Sequence, residues 1–120
     1  MTNDELRARL EPACDTPAFP GILSFRAMFG GVTAYVDDRN FASLSNIGLA
    51  FKLSSAHGRD LLKAGGKMLQ YDEKSPASKT AVVVPAAMLN DVEALRAWAI
   101  RSAVYAKSLP PTVTRKPRSY

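Results

Sequence analysis

The chain has 120 residues, which is the length of one domain with one hydrophobic core. Its hydrophobic content of 47% and charged content of 22% are ordinary for a globular protein and argue against disorder except at the end of the chain. The net charge of +5 arises mainly there, because the last fourteen residues carry four bases and no acid. Whole-chain charge is therefore poor evidence for a nucleic-acid-binding face.

The cysteine and histidine content limits the disulfides and metal sites that the chain can form. The single cysteine, Cys14, excludes an intrachain disulfide, and with one histidine, His57, the chain lacks the three or four ligands that zinc normally takes. Its apolar runs are far shorter than the roughly 20 residues that span a bilayer, and no signal region opens the chain. We expect a cytoplasmic protein without metal, cofactor or membrane association, and the absence of a nucleophile-elbow or phosphate-loop motif predicts no enzymatic activity.

The first predicted element is an amphipathic helix. Thr2 and Glu5 have the spacing of a capping box. Apolar residues then recur at helical spacing, at Leu6, Leu10, Ala13 and Cys14. Pro12 predicts that the helix kinks or stops near Glu11.

Residues 22–53 alternate between apolar and polar side chains, which predicts four short strands. The separators are short and rich in turn-forming residues, so consecutive strands should pair antiparallel as a meander. These separators are Gly30-Gly31, Asp37 to Asn40 and Ser45 to Gly48.

A second helix is predicted to begin at Ser54 or Ser55 and to end at Gly65-Gly66. Two more strands follow, at Lys67 to Asp72 and Thr80 to Val84. The last helix is predicted to be capped by Asn90 with Glu93 and to reach about Lys107. Its apolar side is Met88, Val92, Leu95, Trp98 and Ala99.

These elements predict an α+β fold in the order α-β-β-β-β-α-β-β-α, with about six strands and three flanking helices. We expect the domain to span residues 1–108. Residues 109–120 contain prolines and bases without periodicity, so we expect a flexible basic tail there.

One ordered set of short motifs resembles the TfoX N-terminal domain of the TfoX/Sxy family. The most specific motif is the Arg-x-Met-Phe-Gly-Gly box at residues 26–31, followed by a tyrosine and a Leu-x-Phe-Lys-Leu strand at residues 49–53. The resemblance covers about residues 5–107. The residues that carry it are Arg26, Met28, Phe29, Gly30, Gly31, Tyr35, Phe41, Leu49, Phe51, Lys52, Leu53, Gly65 or Gly66, Tyr71, Pro85, Leu95 and Trp98.

The resemblance implies a strongly bent antiparallel sheet flanked by helices, similar to the fold of secretion-chaperone-like proteins. The family is named after regulators of competence genes, in which this domain precedes a helical C-terminal domain, and we expect a stand-alone copy without that second domain. The family offers no established catalytic residues. Its box therefore marks a fold signature, here Met28, Phe29, Gly30 and Gly31 together with Trp98, and a candidate contact surface.

The box has two physical interpretations. In the first, Met28 and Phe29 fill opposite faces of a strand while Gly30-Gly31 permit a bulge that bends the sheet. In the second, Arg26 and Lys52 form a basic spot on the exposed side of the sheet that receives an acidic partner or a phosphate. The candidate contact surface is then Arg26, Lys52, Tyr35 and Tyr71.

Three functional hypotheses follow. The favoured one is a non-enzymatic interaction or regulatory module that acts through protein contacts, as a homodimer or as a partner of the transcription machinery. The second is nucleic-acid binding by the tail, with phosphate contacts from Arg115, Lys116 and Arg118 and stacking by Tyr120. The third is an enzyme or a small-ligand carrier that uses a pocket between the curved sheet and the last helix, with Tyr35, Tyr71 and Arg26 as its polar lining.

Overall fold

A computed structural model of the protein describes residues 1–28, 30–70, 72–74 and 76–110. These residues form three α-helices, six strands and one 3-10 helix. The helices are α1 (Asn3–Cys14), α2 (Ser55–Lys63) and α3 (Val92–Lys107), and the 3-10 helix is Ala86–Asn90. The strands are β1 (Leu23–Met28), β2 (Gly31–Val36), β3 (Arg39–Ser45), β4 (Gly48–Lys52), β5 (Lys67–Met68) and β6 (Ala81–Val83).

The six strands form one antiparallel sheet in the order β1-β2-β3-β4-β6-β5. The first four strands are consecutive hairpins, so the predicted meander, the α+β class and the element order are confirmed. The β1–β2 turn joins the paired residues Met28 and Gly31, and Gly30 within it adopts a φ of 82°. A φ of this sign favours glycine because it has no Cβ to clash with the backbone.

Helices α1 and α3 cover one face of the sheet and close the hydrophobic core. The centre of this core is aromatic: the ring of Phe41 lies 5.5 Å from that of Phe19 and 6.5 Å from that of Phe51, measured between centroids. Apolar side chains from the strands and from both helices complete it. They include Leu6, Leu10, Ala34, Val36, Leu44, Leu49, Leu95, Trp98, Ala99 and Ala103.

A β-bulge interrupts the β2–β3 pairing and lies at Phe41. Ala34 pairs with Ala42 and Tyr35 with Asn40, so Phe41 is an extra residue without an opposite partner. The Ser102 hydroxyl of α3 lies 2.7 Å from the carbonyl oxygens of both Phe41 and Lys52 and donates its one proton to this pair of acceptors. This buried serine therefore ties α3 to β3 and β4 at the bulge.

The glycines of the box do not form the predicted bulge. The β1–β2 register is continuous from Leu23 to Met28, and Gly30 belongs to a tight turn instead, since the chain must reverse between two paired strands. Met28, expected to fill one strand face, is 53% exposed because it lies at the end of an edge strand. Phe29 lies outside the described residues.

The first helix ends later than Pro12 predicted. The capping box of Thr2 and Glu5 is confirmed, but α1 continues through Pro12 to Cys14. The guanidinium of Arg96 donates to the carbonyl oxygens of Pro12, at 2.9 Å, and Ala13, at 3.1 Å, which are among the last carbonyls of the helix. The end of α1 is thereby fastened to α3.

The last helix begins one residue later than predicted. Its N-cap is Asp91, whose carboxylate accepts from the Ala94 N–H at 3.1 Å, whereas Asn90 and Met88 belong to the preceding 3-10 helix. Val92, predicted on the buried side, is the first residue of α3 and is 41% exposed. The helix ends at Lys107 as predicted.

The two late strands are shorter than their apolar runs suggested. The Leu69 N–H still bonds the Ala81 carbonyl at 2.9 Å, but the Leu69 carbonyl accepts from the Ser78 N–H at 2.7 Å. After Leu69 the β5–β6 connection therefore forms a hydrogen bond within itself instead of continuing the strand pairing, and β5 ends at Met68. The second helix agrees with prediction: Ser54 caps it, and Gly65 follows its end with a φ of 108°.

Candidate functional site

The sheet face turned away from α1 and α3, called the outer face below, carries the polar side chains of the strands. Side chains alternate along a strand, and Ala34 and Val36 of β2 are buried in the helix-side core. Thr33 and Tyr35 therefore point to the outer face. Their cross-strand partners share it: Ser24, Arg26, Asn40 and Ser43.

Three of the four predicted contact residues lie on this face. The Arg26 guanidinium carbon stands 5.1 Å from the centroid of the Tyr35 ring, a cation–π arrangement. Tyr35 is paired with Asn40, whose Oδ1 accepts a 2.9 Å hydrogen bond from the Lys52 ammonium. Arg26, Tyr35, Asn40 and Lys52 thus make a row across β1 to β4, which we call the polar row.

Arg26 and Lys52 are not in contact with each other. They stand on β1 and β4, three strands apart in the sheet, which corresponds to about 14 Å at the usual strand spacing. Asn40 joins the row between them and was missed by the sequence analysis, where it belonged to a turn. The bulge at Phe41 is the reason, since it turns Asn40 to the outer face directly opposite Tyr35.

Several predicted residues lie outside the described part of the chain. They are Tyr71 of the contact surface, Phe29 of the box, and the tail residues Arg115, Lys116, Arg118 and Tyr120. The described chain ends at Pro110, and the Leu109 carbonyl accepts a 3.0 Å hydrogen bond from Arg39. Contacts with the domain therefore continue one residue beyond the boundary predicted at residue 108.

A cavity of about 310 Å³ opens on the outer face beside Lys52, and we call it the outer pocket. Its walls come from β2, β3 and β4 and from the connection between β5 and β6. The described lining residues are Thr33, Asn40, Phe41, Ala42, Ser43, Ala50, Lys52, Leu69, Ser78, Thr80 and Ala81. Burial lowers the pKa of Lys52 below its usual value of 10.5.

The predicted pocket between the sheet and the last helix is not found with its expected lining. Tyr35 and Arg26 point away from α3, because the helix-side positions of β2 are taken by Ala34 and Val36. That interface is instead filled by apolar side chains, including Trp98 at 8% exposure. The outer pocket lies on the opposite face.

Strand β1 forms a second feature, an open edge of the sheet. Its outer-face residues Ser24 and Arg26 are exposed, and the apolar residues at its two ends are among the most exposed of the described chain: Ile22 at 75% and Met28 at 53%. The start of β1 is held by Asp37, whose carboxylate accepts from the Ile22 N–H at 2.9 Å and from Lys107 Nζ at 2.7 Å.

The described residues offer few other groups for metal binding or nucleophilic chemistry. No group of three or more His, Cys, Asp or Glu side chains within them is placed to hold a metal ion. Cys14 is buried, which raises the pKa of its thiol to about 12, so it is not a nucleophile at neutral pH. Over the same residues, none of the helices has the length and apolar character needed to cross a membrane.

Comparison with known proteins places the chain in a family. The model of the TfoX N-terminal domain matches residues 18–106, a segment that contains all six strands, α2 and nearly all of α3. The match begins later than the predicted limit near residue 5, so α1 lies outside it. No curated protein matches the chain. The chain belongs to the TfoX N-terminal domain family, which supports a competence-related or regulatory type of module in general terms.

Proposed function

We propose that this domain is a non-enzymatic regulatory module that acts through protein contacts, and that its contact element is the open edge of β1. The observation that carries the proposal is a six-residue edge strand that, among the described residues, has no neighbour on its outer side. Such an edge is a template on which another chain adds a strand. We propose that the added strand is β1 of a second copy of this chain.

The backbone of β1 has the groups that strand addition needs. Met28 and Gly31 flank a two-residue turn, so they form a hydrogen-bonded pair, and the even-numbered residues of β1 bond to β2. The N–H and C=O groups of Leu23, Phe25 and Ala27 then point away from the sheet. Within the described residues, none of these three positions has another backbone hydrogen bond.

A two-fold arrangement centred on Phe25 makes the strand complementary to itself. In this register Ile22 lies opposite Met28 of the second copy, so the exposed apolar residues at the two ends cover each other. Ser24 lies opposite Arg26 of the second copy, and Leu23 opposite Ala27. About six backbone hydrogen bonds would join the two edges.

Charge disfavours one of the two neighbouring registers. Sliding the second copy by two residues in the direction that centres the pairing on Arg26 would place the two Arg26 side chains directly opposite each other, and like charges in that position are destabilising. The register centred on Phe25 avoids that contact and gives each Arg26 a serine neighbour. Isologous contacts of this kind close as dimers without forming filaments.

The experiment measures the mass of the full chain by sedimentation equilibrium over a range of concentrations. We expect a monomer–dimer equilibrium. Ser24→Glu should lower the dissociation constant of the dimer, since each new carboxylate faces an Arg26, and Ser24→Arg should raise it. We expect a change of about five- to tenfold in each case, because the two-fold axis gives every dimer two such cross-strand charge pairs. Ser24 is exposed, so neither variant disturbs the core.

Val104→Glu is the matched control, because Val104 is 54% exposed on α3, away from β1. This variant should dimerise like the unmodified chain. A monomer at every concentration would refute self-association at β1. So would a dimer whose dissociation constant is the same in both Ser24 variants.

A further inference from the structure

The outer pocket is a separate feature from the β1 edge, and the proposed dimer does not use it. Its volume of about 310 Å³ lies at the small end of the range for ligand sites and equals the bulk volume of about ten water molecules. It lies across β4 and beside the connection that follows β5. A ligand there would be small.

The polar wall of the pocket is rich in hydrogen-bond donors. The Lys52 ammonium has three donors, and Asn40 accepts one of them. The remaining polar wall consists of hydroxyl and amide groups, and the described lining residues include no carboxylate. These residues are Thr33, Asn40, Ser43, Ser78 and Thr80.

The other wall is apolar. Ala50 and Leu69 are buried together with Val83 in a small cluster on this side of the sheet, and Ala81 packs against them. Ala50, Leu69 and Ala81 also line the pocket. The pocket therefore has a cationic, donor-rich end and an apolar floor, which suits a ligand with one anionic group and a hydrocarbon body.

We propose that the outer pocket binds a small organic monocarboxylate, with its carboxylate against the Lys52 ammonium and its apolar part on Ala50, Leu69 and Ala81. One ammonium balances one negative charge. A phosphate group carries between one and two charges at neutral pH, and the next cation of the polar row, Arg26, stands three strands away. The charge count therefore favours a carboxylate over a phosphate.

Two further observations support this site. Lys52 is half-buried and, within the described residues, has no carboxylate within ion-pair distance, so an anion would compensate its partly desolvated charge. Ser102 also fixes the backbone of Phe41 and Lys52 from the core side, at 2.7 Å from each carbonyl oxygen. The cationic end of the pocket is thereby held in place before any ligand binds.

The test uses benzoate as the probe and ¹⁵N-labelled full chain, followed by amide chemical shifts. We expect saturable shifts at Asn40, Ser43, Ala50 and Ala81, with a dissociation constant below about 10 mM. Benzyl alcohol, which keeps the ring and lacks the charge, should bind at least about tenfold more weakly, and so should inorganic phosphate.

Lys52→Met should weaken benzoate binding by about tenfold or more, because it keeps the length of the side chain and removes the charge. Lys67→Met is the matched control, because Lys67 is an exposed lysine of β5 that is not among the lining residues of the pocket, and this variant should bind like the unmodified chain. Should Lys52→Met fail to fold, Lys52→Gln replaces it, and Ser43→Leu fills the pocket without touching the cation. The proposal is overturned when benzoate gives no saturable shifts, when the shifts map elsewhere, or when these variants bind equally well.

Discussion

The two faces of the sheet use the same strands for different purposes. On β2 and β3 the helix-side residues Ala34, Val36 and Leu44 have no exposed surface, whereas their neighbours Thr33 and Ser43 line the outer pocket. The helix side is a closed apolar core, and the outer face holds the polar row. We therefore expect stability to depend on the first face and the proposed ligand binding on the second, so substitutions on the two faces should have separable effects.

The largest effect is expected in the helix-side core. Phe41→Ala removes a fully buried ring from the cluster with Phe19 and Phe51 and should lower the free energy of unfolding by about 3–5 kcal/mol. Urea denaturation measures this loss. Thr33→Ala on the outer face is the matched control and should cost less than about 1 kcal/mol. Equal losses in the two variants would contradict the division between the faces.

An intermediate effect is expected where the two faces are connected. Ser102→Ala leaves the carbonyl oxygens of Phe41 and Lys52 without the hydroxyl that lies 2.7 Å from each, and should cost about 1–3 kcal/mol in urea denaturation. Amide hydrogen exchange should speed up selectively in β3 and β4 near the bulge. Ser108→Ala, at the exposed end of α3, serves as the control. A Ser102 variant with unchanged stability would show that the bulge does not depend on this contact.

The sequence predicted the sheet well, since alternation and short turns are local signals. The order of elements and the hairpins follow from residues 22–53, and the capping box of Thr2 and Glu5 marked the start of α1. The bulge was missed because it depends on pairing between strands. Its one local signal is that Phe41 and Ala42 are consecutive apolar residues, which breaks the period of two.

The candidate site was less predictable for the same reason. Arg26, Tyr35 and Lys52 could be assigned to one face from alternation, but Asn40 joined them only through the bulge. Ser102 gave no signal, because a lone serine on an apolar helix side is ordinary, and its role depends on carbonyl groups more than 40 residues away in the chain. The outer pocket also depends on the fold of the β5–β6 connection, which has no periodicity.

The smallest effect is expected at Lys52, and its sign is opposite to the others. Burial lowers the pKa of Lys52 from 10.5, so the folded state binds this proton less tightly than the unfolded state. At neutral pH the lysine is charged in both states, so desolvation of its charge lowers the stability of the fold by the full amount. This loss of stability shrinks as the pH rises through the lowered pKa of the folded state, and it disappears above the pKa of the unfolded state. Lys52→Met should therefore raise the melting temperature slightly at about pH 7. This rise should be smaller than the fall in melting temperature expected for Phe41→Ala or for Ser102→Ala.

The advantage of Lys52→Met should decline toward about pH 10, and calorimetry of both proteins across this range measures it. Lys67→Met, which changes an exposed lysine of β5, should show no such trend. A charge that lowers the stability of the fold at neutral pH is expected where binding is selected at the expense of stability. A Lys52→Met protein that is less stable than the unmodified chain at neutral pH would assign the lysine to the fold instead, through its hydrogen bond with Asn40.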